Sequence, residues 1–309
     1  MKQYAFLTAL LCLIMIFTPL ICVTVKNHSN TDAIQLQQES NTVSITTLSG
    51  KAVEADIDTY LIGTLAAEMP ASYESEALKA QAVAAYTYYR WLKENSDNSD
   101  FSISADSSVH QGYLTEEEMK EKWGSKYESY YNKIKAAVMS VLGECIMYEG
   151  EPIMAVYHAI SSGRTLSAEA VWGEAVPYLQ SVTAVGDKLS PDFEAETKYT
   201  QQEMIKLLKT ESTKENLIEK IDTDEYGYVT KLSAGGKSFT GYEFSSLIGL
   251  RSPVFTAEYK QGRYIFSVSG YGHGVGMSQY SADYMARQGS TYQEILAHFY
   301  KGTYIDKIL

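Results

Sequence analysis

The chain is predicted to fold as an α+β domain, and three observations predict it. Stretches with apolar residues three and four apart are mixed irregularly with short alternating segments that turn on glycine. Two Thr-x-x-Glu capping boxes, Thr115 with Glu118 and Thr200 with Glu203, mark helix starts. No βαβ regularity and no internal repeat orders these elements into a parallel sheet or a solenoid.

Each element has a local reason. Residues 27–49 are polar with little periodicity and read as a linker, so the folded part is expected from Gly50. Asp58 or Thr59 can cap a short helix through TYLIGTLAAEM, which Pro70 ends because the residue before a proline avoids helical angles. A second helix over about 75–92 carries Leu78, Ala82, Ala85, Tyr89 and Leu92 on one face. Its stripe of Ala77, Ala80 and Ala84 admits another backbone closely. The Thr115 box opens a helix near Trp123, and another covers about 127–141. CIMYEGEPIMAVYH reads as a β-hairpin turning near Gly150; YVTKLSAGGKSFTG is a second, with Gly235-Gly236 as its turn. Tyr264, Phe266 and Val268 alternate in a strand that runs into a glycine-rich loop. Helices over about 278–288 and 292–300 close the chain.

Composition narrows the function. The 309 residues suffice for one large domain or two small ones. A formal net charge of -12 without any basic run excludes a nucleic-acid partner. The 25 tyrosines offer flat apolar faces with a hydroxyl, useful against sugars, although most are expected to pack. Cys12 and Cys22 lie in the N-terminal apolar run, leaving Cys145 alone beyond it. That provides neither a disulfide framework nor a cysteine pair for zinc. The run from Tyr4 to Val25 is uncharged and holds about 20 apolar residues, the length that spans a bilayer. A secretory signal has a shorter apolar core and a small-residue cleavage site. Residues 1–26 are therefore expected to be an uncleaved membrane anchor with the remainder outside, a cleaved signal being the alternative.

Glu68 raises a question of placement. It lies seven residues after Leu61, four after Thr64 and three after Leu65, on the face those residues bury. It also ends its helix, where the dipole's negative pole disfavours a second negative charge. Burial and dipole both push a carboxyl pKa upward, which suits a general acid. The alternative is a glutamate that leans into solvent or pairs with Lys79.

Two further stretches look like site material. VYHAISSGRT leaves a strand into a polar loop with His158 and serines. SGYGHGVGMSQY sets four glycines around His273, a loop whose backbone can approach a ligand. It is not a phosphate loop, and no G-x-S-x-G elbow supports a Ser/His nucleophile. Each histidine reads equally as a satisfied loop or core residue.

In order and spacing, YLIGTLAAEMPASYESEALKAQAVAA, the His158 loop and GHGVGMSQ together resemble the stage II sporulation protein D family. The similarity covers about 52–305. The resemblance implies a two-lobed α+β catalytic domain with a groove over 50–309, a second lobe at about 185–265, and a preceding transmembrane helix. It implies a lytic transglycosylase that cuts peptidoglycan glycan strands, preferably peptide-free, during engulfment in sporulation. Glu68 matches the family's acid/base glutamate. Such an enzyme uses the 6-hydroxyl of the substrate's own N-acetylmuramic acid as nucleophile, which explains a single carboxylate where ordinary glycosidases need two. The resemblance also implies substrate contacts from His158, Ser162, Gly163, Thr165, Arg251, Ser252, Gly272, His273, Gly274 and Gln279. An engulfment amidase and a multi-span membrane protein are the implied partners.

The sequence departs from the family pattern at particular points. Tyr86 stands where an arginine is common, so Tyr86 or Arg90 must serve in its place. The first glycine of the His158 loop is Ser162. Some relatives bind zinc through cysteines after the histidine, but no cysteine follows Cys145, so neither metal nor cofactor is assigned. Two rival readings are a non-catalytic glycan-binding module that assists an amidase and a scaffold of the engulfment complex.

Overall fold

The fold begins earlier than Gly50. In the computed structural model, which describes residues 42–96, 101–212 and 214–308, strand β1 (Thr42–Thr46) already belongs to a sheet. Its alternation buries Val43 and Ile45. It pairs antiparallel with β2 (Ala52–Asp56) and parallel with β3 (Ile103–Ser104). The end of the expected linker is therefore structural, because two aliphatic residues at period 2 suffice for a half-buried strand inside polar sequence. The anchor over 1–26 lies outside the described residues. Among the described residues no helix is long and apolar enough to cross a membrane.

Helix α1 (Ile57–Glu68) starts one residue before the expected cap. Asp56 is the N-cap without a side-chain bond, and Asp58 lies in the first turn, where the dipole favours its charge. Met69 is extended (φ -127°, ψ 140°) before Pro70, so the helix stops at Glu68. Residues Tyr60 to Ala66 are all buried. Helix α2 (Ser75–Glu94) is the central helix of the larger core; Leu78, Ala82, Ala85 and Tyr89 are buried, and so are Ala77, Ala80 and Ala84. Its alanines let several elements approach at once. These are α1, helix α4 (Tyr127–Ser140), strand β4 (Glu144–Tyr148) and the closing helices α8 (Gln279–Arg287) and α9 (Tyr292–Phe299).

Helix α3 (Glu116–Trp123) has both halves of the Thr115–Glu118 capping box. Strand β4 turns through Glu149-Gly150 into β5 (Glu151–Pro152), and β14 (Tyr304–Lys307) completes that sheet. Strand β6 (Tyr157–His158) pairs in parallel with β13 (Met277–Ser278) and brings the two loop motifs side by side. This pairing needs a glycine at 276, where a Cβ would stand 2.0 Å from the Val156 carbonyl oxygen at φ +73°. Helix α5 (Ala168–Trp172) follows the first loop and is capped by Ser167.

A second cluster of buried apolar residues runs from Met204 to Val268. It lies between the sheet β11-β12-β7, formed by β7 (Glu194–Thr200), β11 (Phe255–Lys260) and β12 (Arg263–Ser269), and the hairpin sheet β10-β9-β8. The hairpin sheet comprises β8 (Ile218–Thr223), β9 (Val229–Ala234) and β10 (Lys237–Phe239), with Gly235-Gly236 as the β9–β10 turn. Helices α6 (Gln201–Leu208) and α7 (Gly241–Ile248) close it, each opened by a capping box. Phe244, Phe255 and Phe266 form its centre, with ring centroids 5.7–6.0 Å apart.

Candidate functional site

Glu68 opens into a cleft of about 560 Å³. Its Oε1 accepts a short hydrogen bond from the Gly112 N–H. A Cβ at Gly112 would sit 2.9 Å from that oxygen and 3.0 Å from the Ala67 Cβ, so the close approach needs glycine. The neighbouring Gln111 holds the segment in place. Its Nε2 donates to the Ala85 oxygen at 3.1 Å, and its Oε1 accepts from the Tyr60 hydroxyl at 3.2 Å. A buried amide thus ties this loop to both α1 and α2.

Desolvation raises the Glu68 pKa above its ordinary 4.5, opposed by the Gly112 N–H and the charge of Lys122. Lys122 itself donates to the Ala66 carbonyl at 2.8 Å, capping the end of α1. Lys79 is engaged elsewhere, 2.6 Å from Glu76, which removes the expected alternative pairing. Glu68 is half-buried, and among the described residues it makes no direct ion pair.

The opposite wall comes from the β6–β13 pair. His158 Nδ1 lies 3.0 Å from the Val275 oxygen and must therefore carry the proton, leaving Nε2 a bare acceptor with no partner among the described residues. His273 has the other tautomer. Its Nδ1 accepts from the Val275 N–H at 3.1 Å, and its Nε2 donates to the Tyr157 oxygen at 3.0 Å. The two rings are 5.8 Å apart, and the Trp172 ring lies 5.6 Å from His273. Burial pushes His158 down to about 3 and His273 down to about 4, so both are neutral near pH 7.

This gives a pH dependence with a definite sign. An unfolded chain takes up protons at both histidines near 6.5, whereas the folded chain resists until about 4 and about 3. The stability they contribute is present above 6.5 and is lost as pH falls through that window. Denaturation midpoints should fall between pH 7 and pH 5, and His158→Asn should flatten the fall; an unchanged slope in the variant would contradict this.

Of the residues the sequence singled out, Glu68, His158, Gly272, His273 and Gln279 line the cleft together. The others lie elsewhere for identifiable reasons. The Thr165 hydroxyl is buried and accepts from the Val182 N–H at 2.9 Å. Ser162 and Gly163 are half-buried and do not line the cleft, and Gly163 lies against the Lys188 side chain. Ser252 accepts from the Val254 N–H at 3.1 Å within its own turn, and Gly274 packs on Leu166. Tyr86 accepts from Arg90 at 3.3 Å on a different face of α2, so neither occupies the cleft. The α2 residue that does line it is Tyr88.

The remaining walls are not named as contact residues by the sequence, although Tyr157 and Tyr271 lie within the two stretches it singles out. These walls are the 107–111 loop, Tyr88, Tyr157, Trp172, Tyr242 and Tyr271. The available signal was the stretch SSVHQGY, polar and glycine-containing but assigned to neither helix nor strand. Residues Gly274 to Gln279 are buried, and Met277–Ser278, placed by the sequence at the end of the glycine-rich loop and the start of a helix, form β13. Among the described residues, no group of three or more His, Cys, Asp or Glu side chains is arranged to hold a metal ion.

The molecule is thus a mixed α+β protein whose cleft sets one half-buried carboxyl, its pKa raised by desolvation, among aromatic walls. Residues 48–148 match the family model described as SpoIID, stage II sporulation protein. The chain is 33% identical over 331 residues to the stage II sporulation protein D of Bacillus subtilis (strain 168), covering 99% of this chain and 96% of that protein. It is 32% identical over 332 residues to the stage II sporulation protein D of Bacillus amyloliquefaciens, with the same coverage. The chain belongs to the stage II sporulation protein D family. It is also 28% identical over 298 residues to a Bacillus subtilis protein named amidase enhancer, covering 79% of this chain and 40% of that protein.

Proposed function

We propose that this chain is a lytic transglycosylase that cuts peptidoglycan glycan strands between N-acetylmuramic acid and N-acetylglucosamine. The observation that carries the reading is a lone carboxyl. Among the described residues lining the cleft, Glu68 is the sole Asp or Glu. A two-carboxylate hydrolysis therefore lacks its second group, while a reaction whose nucleophile belongs to the substrate needs only one. Protonated Glu68 gives its proton to the departing glycosidic oxygen as the C1–O bond breaks. The 6-hydroxyl oxygen of the same muramic acid then bonds to C1 and returns its proton to Glu68. No water is consumed, and the product carries a 1,6-anhydro end. The aromatic walls suit pyranose faces. In this reading the N-terminal apolar segment holds the chain in the cell membrane with the cleft on the extracytoplasmic side, and an amidase supplies peptide-free glycan.

A second reading rests on the relative named amidase enhancer: the chain grips glycan for an amidase without cutting. One assay separates the two. The full-length chain is incubated with peptide-free glycan, and the products are examined by mass spectrometry. Anhydro-ended fragments are expected; glycan that is bound but uncut decides for the second reading.

A further inference from the structure

Tyr271 is the most outward aromatic of the cleft, with 53% of its surface exposed. Its backbone is fixed, since it exchanges two hydrogen bonds with Ile160, at 2.6 and 3.0 Å. Its ring is covered on one side by Arg251, whose guanidinium carbon lies 5.8 Å from the ring centroid. Arg251 does not line the cleft. One guanidinium nitrogen donates to the Asp192 backbone oxygen at 2.5 Å, the buried Nε has no partner among the described residues, and the Arg251 carbonyl accepts from the Gly272 N–H at 2.7 Å. The arginine is thus bound into the loop that carries Tyr271.

We infer that Tyr271 is a stacking platform for one pyranose ring of the glycan, and that Arg251 acts through it as a positioning residue. This rests on the glycan reading given above and replaces the direct contact expected of Arg251. An exposed tyrosine side chain samples several rotamers, and fixing one on binding weakens affinity. A cation seated on one ring face removes that freedom beforehand and leaves the remainder of the ring to the apolar C–H face of a sugar. Trp172, 39% exposed with its ring tilted 42° against His273, offers a comparable surface on another wall, so the ligand class is a chain of pyranoses.

The test is a double-mutant cycle on the full-length chain, reading the Kd for peptide-free glycan strands and, in parallel, KM against kcat for cleavage. Tyr271→Ala should weaken binding roughly tenfold and Arg251→Ala roughly threefold, both through KM. In the Tyr271→Ala background, removing Arg251 should have no further effect. Tyr271→Trp should restore binding, which a merely structural role would not predict. Melting temperatures show that each variant is folded, and Tyr271→Leu keeps apolar bulk without a ring should the alanine variant not fold. Additive losses would mean that Arg251 touches glycan itself and would overturn the inference, as would wild-type binding by Tyr271→Ala or Tyr271→Leu. Glycan bound but never cut would end the transglycosylase reading and leave this one standing. No glycan binding by the unsubstituted chain would end both.

Discussion

Glu68→Gln is expected to leave no detectable anhydro product while glycan binding stays near that of the unsubstituted chain. Glutamine keeps an oxygen for the Gly112 N–H but can neither deliver a proton to the leaving oxygen nor receive one from the 6-hydroxyl. General acid–base help is typically worth about 10² to 10⁴ in rate, and here both halves of the reaction lose it. Stability should not suffer. A carboxyl whose folded pKa is raised contributes stability that is complete below its unfolded value of 4.5 and is lost as pH rises through the folded value. The variant escapes that loss, so it should gain on the parent from acid to neutral pH. Glu76→Gln is the contrasting control. Glu76 lies outside the cleft, pairs with Lys79 at 2.6 Å and accepts from the Tyr292 N–H at 2.9 Å, so its substitution should lower stability by about 1 kcal/mol and spare turnover. Product formation by Glu68→Gln at a comparable rate would falsify the assignment.

The second large effect concerns β1. A chain starting at Gly50 lacks Val43 and Ile45, which are 1% and 0% exposed. Full burial of an aliphatic side chain is worth about 1.5–3 kcal/mol, so the loss is about 3–6 kcal/mol as an upper estimate. Against a total stability of about 5–15 kcal/mol, that moves a denaturation midpoint far. The damage should also reach the cleft. Strand β3 pairs with β1, and the Ala105 N–H donates to the Thr46 oxygen at 2.8 Å, just ahead of the 107–111 wall. Chains starting at Asn41 and at Gly50 should therefore differ strongly in midpoint and in product yield. Equal midpoints would show that the strand contributes nothing.

The sequence revealed most where the cause is local. Thr115 with Glu118 and Thr200 with Glu203 cap helices because both partners lie within one turn, and the same signal at Thr240–Glu243 and Thr291–Glu294 was open to the same reading. The Gly235-Gly236 turn is equally local. Strand β7 was illegible because EAETKYT has no buried residue and owes its conformation to its ladder with β12. The cleft divides in the same way. Helical spacing places Glu68 on a buried face, but it does not distinguish that face from the others, since α1 is buried all round from Tyr60 to Ala66. Gln111 and Gly112 take their positions from Tyr60, Ala85 and Glu68, far away in the chain. Thr165 and Ser252 are expected in the cleft from the family resemblance, which matches loop positions but not whether a hydroxyl faces a ligand or, as here, the Val182 or Val254 N–H.

The parallel pairing of Tyr157–His158 with Met277–Ser278 also sets an order of assembly. Its loop-closure entropy must be met before the contact rewards it, and such non-local contacts form slowly. Strands β1 and β2 with helices α1 and α2 involve short separations and can gather early around Val43, Ile45 and Leu78. One wall of the cleft waits for residues close to the C-terminus. A growing chain therefore carries Glu68 for most of its synthesis with the opposite wall unpaired, since β6 waits for β13. A chain cut before Met277 would retain its carboxyl and have no cleft in which to use it.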